Sequence, residues 1–112
     1  MRELKQAYLM APVKTNDGMP LIALHGDLYN LLSETFGGFT VMLACGVGTL
    51  RSGERRGDEI AVYAIAMEPS SANSNKLREI ARYIRQEADQ ESVYIVLADG
   101  QVEFITEGDT EA

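Results

Sequence analysis

The chain has one cysteine, one histidine and no tryptophan among its 112 residues. Because Cys45 stands alone, no disulfide can form within the chain, which fits a reducing compartment such as the cytoplasm. A transition-metal site needs several histidine or cysteine ligands, so one of each argues against such a site in a single chain. We therefore predict neither a metal site nor a bound cofactor.

Long apolar runs and excess basic charge are also missing. A membrane helix needs roughly 20 apolar residues, and no run in the chain approaches that length. The first ten residues contain no apolar core of the kind found in signal peptides. The net charge of -7 repels phosphate backbones. The sequence thus predicts a cytoplasmic protein with no membrane partner and no nucleic-acid partner.

The composition is that of an ordinary globular protein, with 46% apolar and 24% charged residues. A length of 112 residues predicts a single domain over 1–112. The acidic tail, from about residue 107 to 112, is expected to be frayed.

The periodicity of apolar residues predicts alternating strands and helices. Turn residues and prolines at positions 12, 16–18, 20 and 69 mark boundaries between these elements. The predicted segments are strand 4–14, helix 20–36, strand 39–45, a long loop 46–58, strand 59–68, helix 74–89, strand 92–98 and strand 101–106. This order predicts an α+β fold, a ferredoxin-like βαββαβ sandwich with an extra C-terminal hairpin strand.

Several predicted strands are apolar at both odd and even positions. In strand 59–68, Ile60 and Val62 would face one side of the sheet, and Tyr63 and Ile65 the other. Two helices can cover only one face, and a face left in water should be polar. We therefore predict a homo-oligomer, dimer or trimer, that covers the second face.

His25 and Cys45 are the residues of greatest intrinsic reactivity. His25 lies at the edge of the apolar stripe of helix 20–36, which favours a half-buried packing role. The alternative is a general base or a ligand contact. Cys45 ends an apolar strand, which favours a buried, inert thiol, whereas a catalytic thiol would need a neighbour such as His25 to stabilise the thiolate.

The stretch 46–58 holds the remaining candidates for a binding site. Gly46 and Gly48 do not form a dinucleotide fingerprint, since Arg51 stands where that motif requires glycine. They would instead let the connection bend. Its arginines, Arg51, Arg55 and Arg56, form either a solvated charged loop or an anion clamp, because guanidinium groups bind phosphate and carboxylate bidentately.

Two further features flank this stretch. Gly37 and Gly38 would end the helix and bend the chain, or leave room for a ligand to approach the backbone. Glu59 opens the apolar strand, and Tyr63 lies four residues further on the same face.

The motifs TNDG, ETFGGFT, DEIAVYAIAM and LREIARYIRQEADQESVYIV, over residues 8–106, resemble a group of small uncharacterised phage and bacterial ferredoxin-like proteins. More distantly, the layout resembles the phage S-adenosylmethionine lyases. That resemblance implies a ferredoxin-like trimer, similar in shape to PII signalling proteins, with the ligand between subunits. It also implies cleavage of S-adenosylmethionine to methylthioadenosine and homoserine lactone.

The resemblance to the lyases carries over only in part. Glu59 stands at the position of a lyase glutamate that opens a strand. The lyase tyrosine falls near Val47 or Gly48, where this chain has none, and Tyr63 is the candidate substitute.

Three functions follow as hypotheses. The first is an oligomeric binding protein of phage origin, acting in the host cytoplasm. It would hold an anionic or adenine-containing small molecule between subunits, and this binding would help the phage to evade host defence. Its expected ligand-binding residues are Gly37, Gly38, Gly46, Gly48, Arg51, Arg55, Arg56 and Glu59.

The second hypothesis is an S-adenosylmethionine lyase that uses Glu59 and Tyr63. The sulfonium of this substrate is already a good leaving group, so positioning and desolvation could do much of the work. The third hypothesis is an inhibitor that blocks a host protein through its acidic surface.

Overall fold

A computed structural model describes residues 3–107 of the chain. Its elements are β1 (Lys5–Pro12), α1 (Ile22–Phe36), β2 (Thr40–Thr49), β3 (Arg55–Met67), α2 (Ser71–Glu87), β4 (Ser92–Val96) and β5 (Val102–Thr106). The predicted frayed tail lies outside the described residues, apart from Glu107. Neither helix in the described range has the length and apolar character to cross a membrane.

The strands form one five-stranded sheet in the order β2-β3-β1-β4-β5. Each pair of neighbouring strands is antiparallel. The predicted α+β class is confirmed, and the arrangement of two helices with this sheet is consistent with a ferredoxin-like fold.

The core lies between the sheet and the two helices. In β1, every second residue is buried, from Ala7 to Ala11, and Tyr63 and Ile65 follow the same alternation in β3. These side chains form one cluster with the buried leucines and isoleucines of α1 and α2. Burial of each large apolar side chain stabilises the fold by about 1.5–3 kcal/mol. The face of the sheet that carries the helices is therefore its main source of stability.

The helix ends are set by local chemistry. Gly37 has a φ of 89°, and its N–H donates to the Ser33 carbonyl at 2.9 Å, so it ends α1 where the sequence predicts. The Ser70 hydroxyl caps α2 by accepting a hydrogen bond from the Asn73 N–H at 3.2 Å.

Helix α2 ends at Glu87, two residues before the predicted end. Asp89 has a φ of 51° and is the only non-glycine residue with positive φ in the described part of the chain. The Asp89 N–H donates to Gln86 and the Gln90 N–H donates to Arg85, a Schellman motif. Because this motif usually has glycine where Asp89 stands, the sequence gives little sign of the boundary.

The predicted long loop 46–58 is wrong over most of its length. β2 and β3 pair continuously from Thr40 opposite Ala64 to Thr49 opposite Arg55, so only residues 50–54 connect them. Glycine and charged residues disfavour a half-buried strand, but here both faces of the pair are largely exposed and its ladder supplies the stability. We call residues 45–59, which extend beyond the end of β1, the β2–β3 ribbon.

Cys45 is exposed, so its predicted burial is wrong. It lies on the edge strand β2 at the start of the ribbon, where neighbouring Leu43 is 79% exposed. An apolar sequence did not produce burial here, because the ribbon extends past the helices.

One ion pair joins α2 to the edge strand β5. The Arg78 guanidinium donates to both carboxylate oxygens of Glu103, at 2.8 and 2.7 Å. This bidentate geometry raises the pKa of Arg78, chiefly through the hydrogen bond to Glu103. The pair holds β5 in the sheet on the helix side.

Candidate functional site

The face of the sheet opposite the helices, here called the open face, is apolar and only partly covered. The sequence predicts this lack of alternation, and the structure places Val102 at 50% exposure and Phe104 at 61% on this face. Tyr94 lies beside Phe104, with ring centroids 5.2 Å apart. An exposed apolar surface of this kind marks a site for a ligand or a partner.

The β2–β3 ribbon and the start of β4 enclose a cavity of about 640 Å³ on this face, here called the open-face pocket. Its volume lies within the range of about 300–1,000 Å³ that is typical of small-molecule sites. The pocket is lined by Met10, Ala11, Pro12, Asn16, Gly46, Val47, Gly48, Thr49, Leu50, Arg56, Asp58, Ile60, Asp89, Gln90, Glu91, Ser92, Val93, Tyr94 and Phe104. Its floor is apolar and aromatic, and its rim is polar.

Two predicted glycines, Gly46 and Gly48, face this pocket from the ribbon. They share the parity of their cross-strand partners Asp58 and Arg56, which also line it. A Cβ added at Gly48 would meet no atom within 4 Å, whereas one at Gly46 would touch Ile60 at 3.6 Å. The absence of side chains at these positions keeps the pocket open and exposes backbone to it.

Arginine side chains at the pocket rim are already paired. Arg56 Nε lies 3.2 Å from Asp58 Oδ1, and Arg56 Nη2 donates to the Asn16 carbonyl at 3.3 Å. Arg51 Nε, in the connection, lies 3.7 Å from Glu91 Oε1. These contacts tie the ribbon to the turn at residue 16 and to the segment before β4. The side chains of Arg51 and Arg56 thus bridge the rim of the pocket by pairing with oxygen atoms of neighbouring residues.

The remaining predicted site residues lie elsewhere. Glu59 is exposed and does not line the open-face pocket. It borders an adjoining polar depression of about 250 Å³, which shares Asn16, Arg56 and Asp58 with that pocket. Arg55 is exposed at the first position of β3. Gly37 and Gly38 follow α1 and line none of the cavities described here. The structure therefore brings Gly46, Gly48 and Arg56 together, with Arg51 at the rim.

Tyr63 is completely buried on the helix side of β3, although its parity matches that of Glu59. Four residues of strand separate their backbones by about 13 Å. Burial, with a smaller contribution from Tyr29, raises the pKa of Tyr63 above its ordinary value. Its phenol therefore remains protonated and takes part in core packing.

His25 joins Tyr63 in a hydrogen-bonded pair. His25 Nε2 lies 2.8 Å from the Pro12 carbonyl, which can only accept, so Nε2 carries a hydrogen. In the neutral ring Nδ1 is then an acceptor, and the Tyr63 hydroxyl donates to it at 2.5 Å. His25 is half-buried, as predicted for a packing histidine, and both ring nitrogens are occupied.

A second groove of about 620 Å³ runs between α1 and α2. Asp27, Glu34 and Glu79 line it, and the Tyr83 hydroxyl donates to Asp27 Oδ2 at 2.7 Å. That hydrogen bond is the largest cause that raises the pKa of Tyr83 to about 12. The groove is shallow and acidic, and it lies on the opposite side of the sheet from the open-face pocket.

Sequence reasoning missed most of the lining of the open-face pocket, including Asn16, Asp89, Tyr94 and Phe104. The aromatic pair could have been found from the parity of strands 92–98 and 101–106. Asn16 and Asp89 gave no such signal, because a turn residue and a helix end are ordinary places for Asn and Asp. Within residues 3–107, no group of three or more His, Cys, Asp or Glu side chains is arranged to hold a metal ion.

No protein-family model and no curated protein matches the chain. Two solved structures do match it. One is a phage S-adenosylmethionine (SAM) lyase in complex with S-methyl-5'-thioadenosine, with a TM-score of 0.76 and 19% identity, covering 99% of this chain and 95% of that chain. The other is a phage SAM lyase in the apo state, with a TM-score of 0.71 and 16% identity, covering 95% of this chain and 91% of that chain.

These matches show a likeness of fold to the lyases and do not bear on the likeness to small uncharacterised phage and bacterial proteins. Identities this low establish a common fold alone. Over almost its whole length, the chain has the fold of the phage SAM lyases.

Proposed function

We propose that this protein binds an adenosine-bearing small molecule, of the class of S-methyl-5'-thioadenosine and SAM, in the open-face pocket. The observation that carries the proposal is the pocket itself, of about 640 Å³, with the Tyr94–Phe104 pair at its apolar floor. Aromatic side chains of this kind stack on bases with little dependence on base identity. Fold similarity to a lyase that holds S-methyl-5'-thioadenosine supports the same ligand class.

The charge of the lining favours a ligand without phosphate groups. Asp58, Asp89 and Glu91 place three carboxylates around the pocket. Arg56 pairs with Asp58 and Arg51 with Glu91, which leaves the charge of Asp89 uncompensated. A phosphate would meet repulsion there, whereas a neutral nucleoside or a sulfonium cation would not. In place of the anion clamp predicted from the arginines, we therefore propose a rim in which the charges of Arg51 and Arg56 are neutralised by carboxylates.

We propose that a second copy of the chain covers the open face and completes the pocket. Phe104, Val102 and Met42 are 48–61% exposed on this face, and Val102 and Met42 lie outside the pocket lining, where a ligand in the pocket would not cover them. A trimer or a dimer would remove this surface from water. The ligand would then lie between subunits, with Gly46, Gly48 and Arg56 contributed by the ribbon.

Calorimetric titration of the protein with S-methyl-5'-thioadenosine, SAM and ATP tests the proposal. Saturable binding of the first two, with ATP at least tenfold weaker, is the expected result. Phe104→Ala should weaken binding roughly 5- to 150-fold, because base stacking on an aromatic ring contributes about 1–3 kcal/mol. Absence of heat with all three ligands would overturn the proposal.

A matched pair of ribbon variants locates the site. Gly48→Leu places a side chain in the open-face pocket, while Gly57→Leu places one on the opposite side of the same ribbon. Neither glycine has positive φ, so neither substitution strains the backbone. Gly48→Leu alone should abolish binding. Equal effects of the two variants would show that the ligand lies elsewhere.

Catalysis is the second candidate, favoured by the match to lyases along nearly the whole chain. In SAM lysis, the substrate carboxylate attacks the γ-carbon, the C–S bond breaks, and sulfur keeps the electron pair. Homoserine lactone and methylthioadenosine result, and no added acid or base is needed. The enzyme would contribute by positioning the carboxylate and excluding water.

Chromatography of SAM incubated with the protein separates the two candidates. Formation of methylthioadenosine would establish a lyase, and binding without product would leave a binding protein. Glu59→Gln and Asp58→Asn then identify which protein carboxylate the reaction needs, because Asp58 lines both the open-face pocket and the adjoining depression, whereas Glu59 borders only the depression. Loss of product in Glu59→Gln alone would support the role that the lyase resemblance implies.

A further inference from the structure

Asp89 has a backbone conformation that glycine would adopt at lower energy. Its φ of 51° lies in the left-handed region, where a Cβ crowds the backbone. The Schellman motif at the end of α2 holds the residue in this conformation. Asp89 lies on the rim of the open-face pocket and is exposed. Within residues 3–107, its carboxylate makes no hydrogen bond or ion pair, whereas its backbone does.

Asn16 holds this residue from a distant part of the sequence. Asn16 Nδ2 donates to the Asp89 carbonyl at 3.2 Å, and Gln90 Nε2 donates to Asn16 Oδ1 at 3.4 Å. The carbonyl of Asp89 can only accept, which fixes the orientation of the Asn16 amide. Aspartate at position 16 would lose the donor and add a like charge beside Asp89. An amide is therefore the side chain that fits.

Asn16 also connects this corner to the ribbon, because its own carbonyl accepts from Arg56 Nη2 at 3.3 Å. Three chain segments thus meet at Asn16: the turn after β1, the strand β3 and the segment between α2 and β4. The pocket floor lies to one side, with Ser92 and Tyr94 following Asp89 along the chain. The backbone of Asp89 is thus held in place, and its unpaired carboxylate is an acceptor at the rim of a pocket whose floor is aromatic.

We infer that the Asp89 carboxylate accepts hydrogen bonds from the ribose hydroxyls of the bound nucleoside, with Asn16 as its positioning residue. This inference rests on the proposed function. A carboxylate offers two oxygens and suits a vicinal diol, which supplies two O–H donors at adjacent carbons. With the base stacked on Tyr94 and Phe104, the ribose lies toward the rim. Asp89 then determines specificity for a ribonucleoside over a deoxyribonucleoside.

Titrations with S-methyl-5'-thioadenosine and its 2'-deoxy analogue test the inference. The wild-type protein should prefer the ribose form by about tenfold or more, the effect of one hydrogen bond to a charged group. In Asp89→Gly that preference should vanish, while the melting temperature rises because glycine accepts the left-handed conformation. Asp89→Asn, which tolerates the same conformation, is the second variant and should reduce the preference.

Asn16→Ala should reduce the preference for the ribose form, because it removes the hydrogen bond that holds the backbone of Asp89. Asp17→Asn is the matched control and should leave this preference unchanged. Asp17 lies next to Asn16 but does not line the pocket. A purely structural role of Asn16 would lower the melting temperature without changing the ratio of the two affinities.

The outcomes separate the inference from the proposed function. Wild-type binding with an unchanged ratio in Asp89→Gly would overturn the role of Asp89 alone. Equal wild-type affinity for the two nucleosides would do the same. Absence of any wild-type binding would overturn the proposed function and this inference with it.

Discussion

The Tyr63 hydroxyl oxygen lies 2.5 Å from His25 Nδ1, and this contact joins the centre of the sheet to the first helix. The other ring nitrogen of His25 donates to the Pro12 carbonyl, at the end of β1. One side chain thus links α1, β1 and β3 on the helix side of the sheet. The sequence offered Tyr63 as a catalytic candidate and favoured a half-buried packing role for His25. In the structure Tyr63 lies in the core and His25 packs beside it.

Tyr63→Phe should lower the free energy of unfolding by about 1–3 kcal/mol. The substitution removes the donor and leaves Nδ1 of His25 without a partner in a half-buried place. Chemical denaturation measures the change. Tyr8→Phe, on the open face of the same sheet, is the control and should change stability by less than about 0.5 kcal/mol. Equal stability of Tyr63→Phe and wild type would show that the hydrogen bond contributes nothing.

Asp27→Asn should return the pKa of Tyr83 from about 12 toward its ordinary value of 10.0. The hydrogen bond to the carboxylate favours the protonated phenol in the folded state. Its contribution to stability is therefore complete below pH 10 and is lost as the pH rises through about 12.

The titration of Tyr83 can be followed by NMR of carbon-labelled tyrosine. Glu34→Gln removes a carboxylate from the same groove without touching the bond to Tyr83 and should leave its pKa unchanged. An identical titration midpoint in Asp27→Asn and wild type would contradict the assignment.

Glu103→Gln should destabilise the protein by about 1.5–3 kcal/mol at neutral pH, the usual range for hydrogen bonds to charged groups. Arg78 and Glu103 are only 26% and 20% exposed, so solvent screens their interaction weakly. Glu3→Gln, in the exposed Lys5–Glu3 pair at 3.9 Å, should change stability by less than about 1 kcal/mol. Urea denaturation compares the two, and equal losses would argue against a special role for the Arg78 pair.

Phe104→Asp should dissociate the proposed oligomer, because it places a charge in the centre of the apolar open face. Ile22→Asp is the matched control, since Ile22 is even more exposed, at 79%, but lies on α1 on the other side of the sheet. Light scattering coupled to size-exclusion chromatography measures the mass of each variant. A wild-type protein that is monomeric at micromolar concentration would remove the basis for this prediction.

Local sequence patterns predicted much of the fold. The leucines of α1 recur at helical spacing, Gly37 ends that helix, and the apolar runs of β3 and β4 match strands. Such features depend on side chains close in sequence, so they can be seen before folding. The prediction of a loop over 46–58 was wrong for the same reason, because it used only features close in sequence. Its glycines and charges resemble a loop locally, and only pairing with a partner strand makes it extended.

The sequence by itself determined the order of the elements, the positions that enter the core and the apolar character of both sheet faces. These follow from the periodicity of the side chains along each element. Only the tertiary structure decided that Tyr63 lies in the core, that Cys45 is exposed and that Arg56 lines the open-face pocket whereas Glu59 does not. It also brought Asn16 beside Asp89, across 73 positions of the chain. The reason is physical: strand pairing and the reach of the β2–β3 ribbon place distant residues together, and no local pattern encodes their distance.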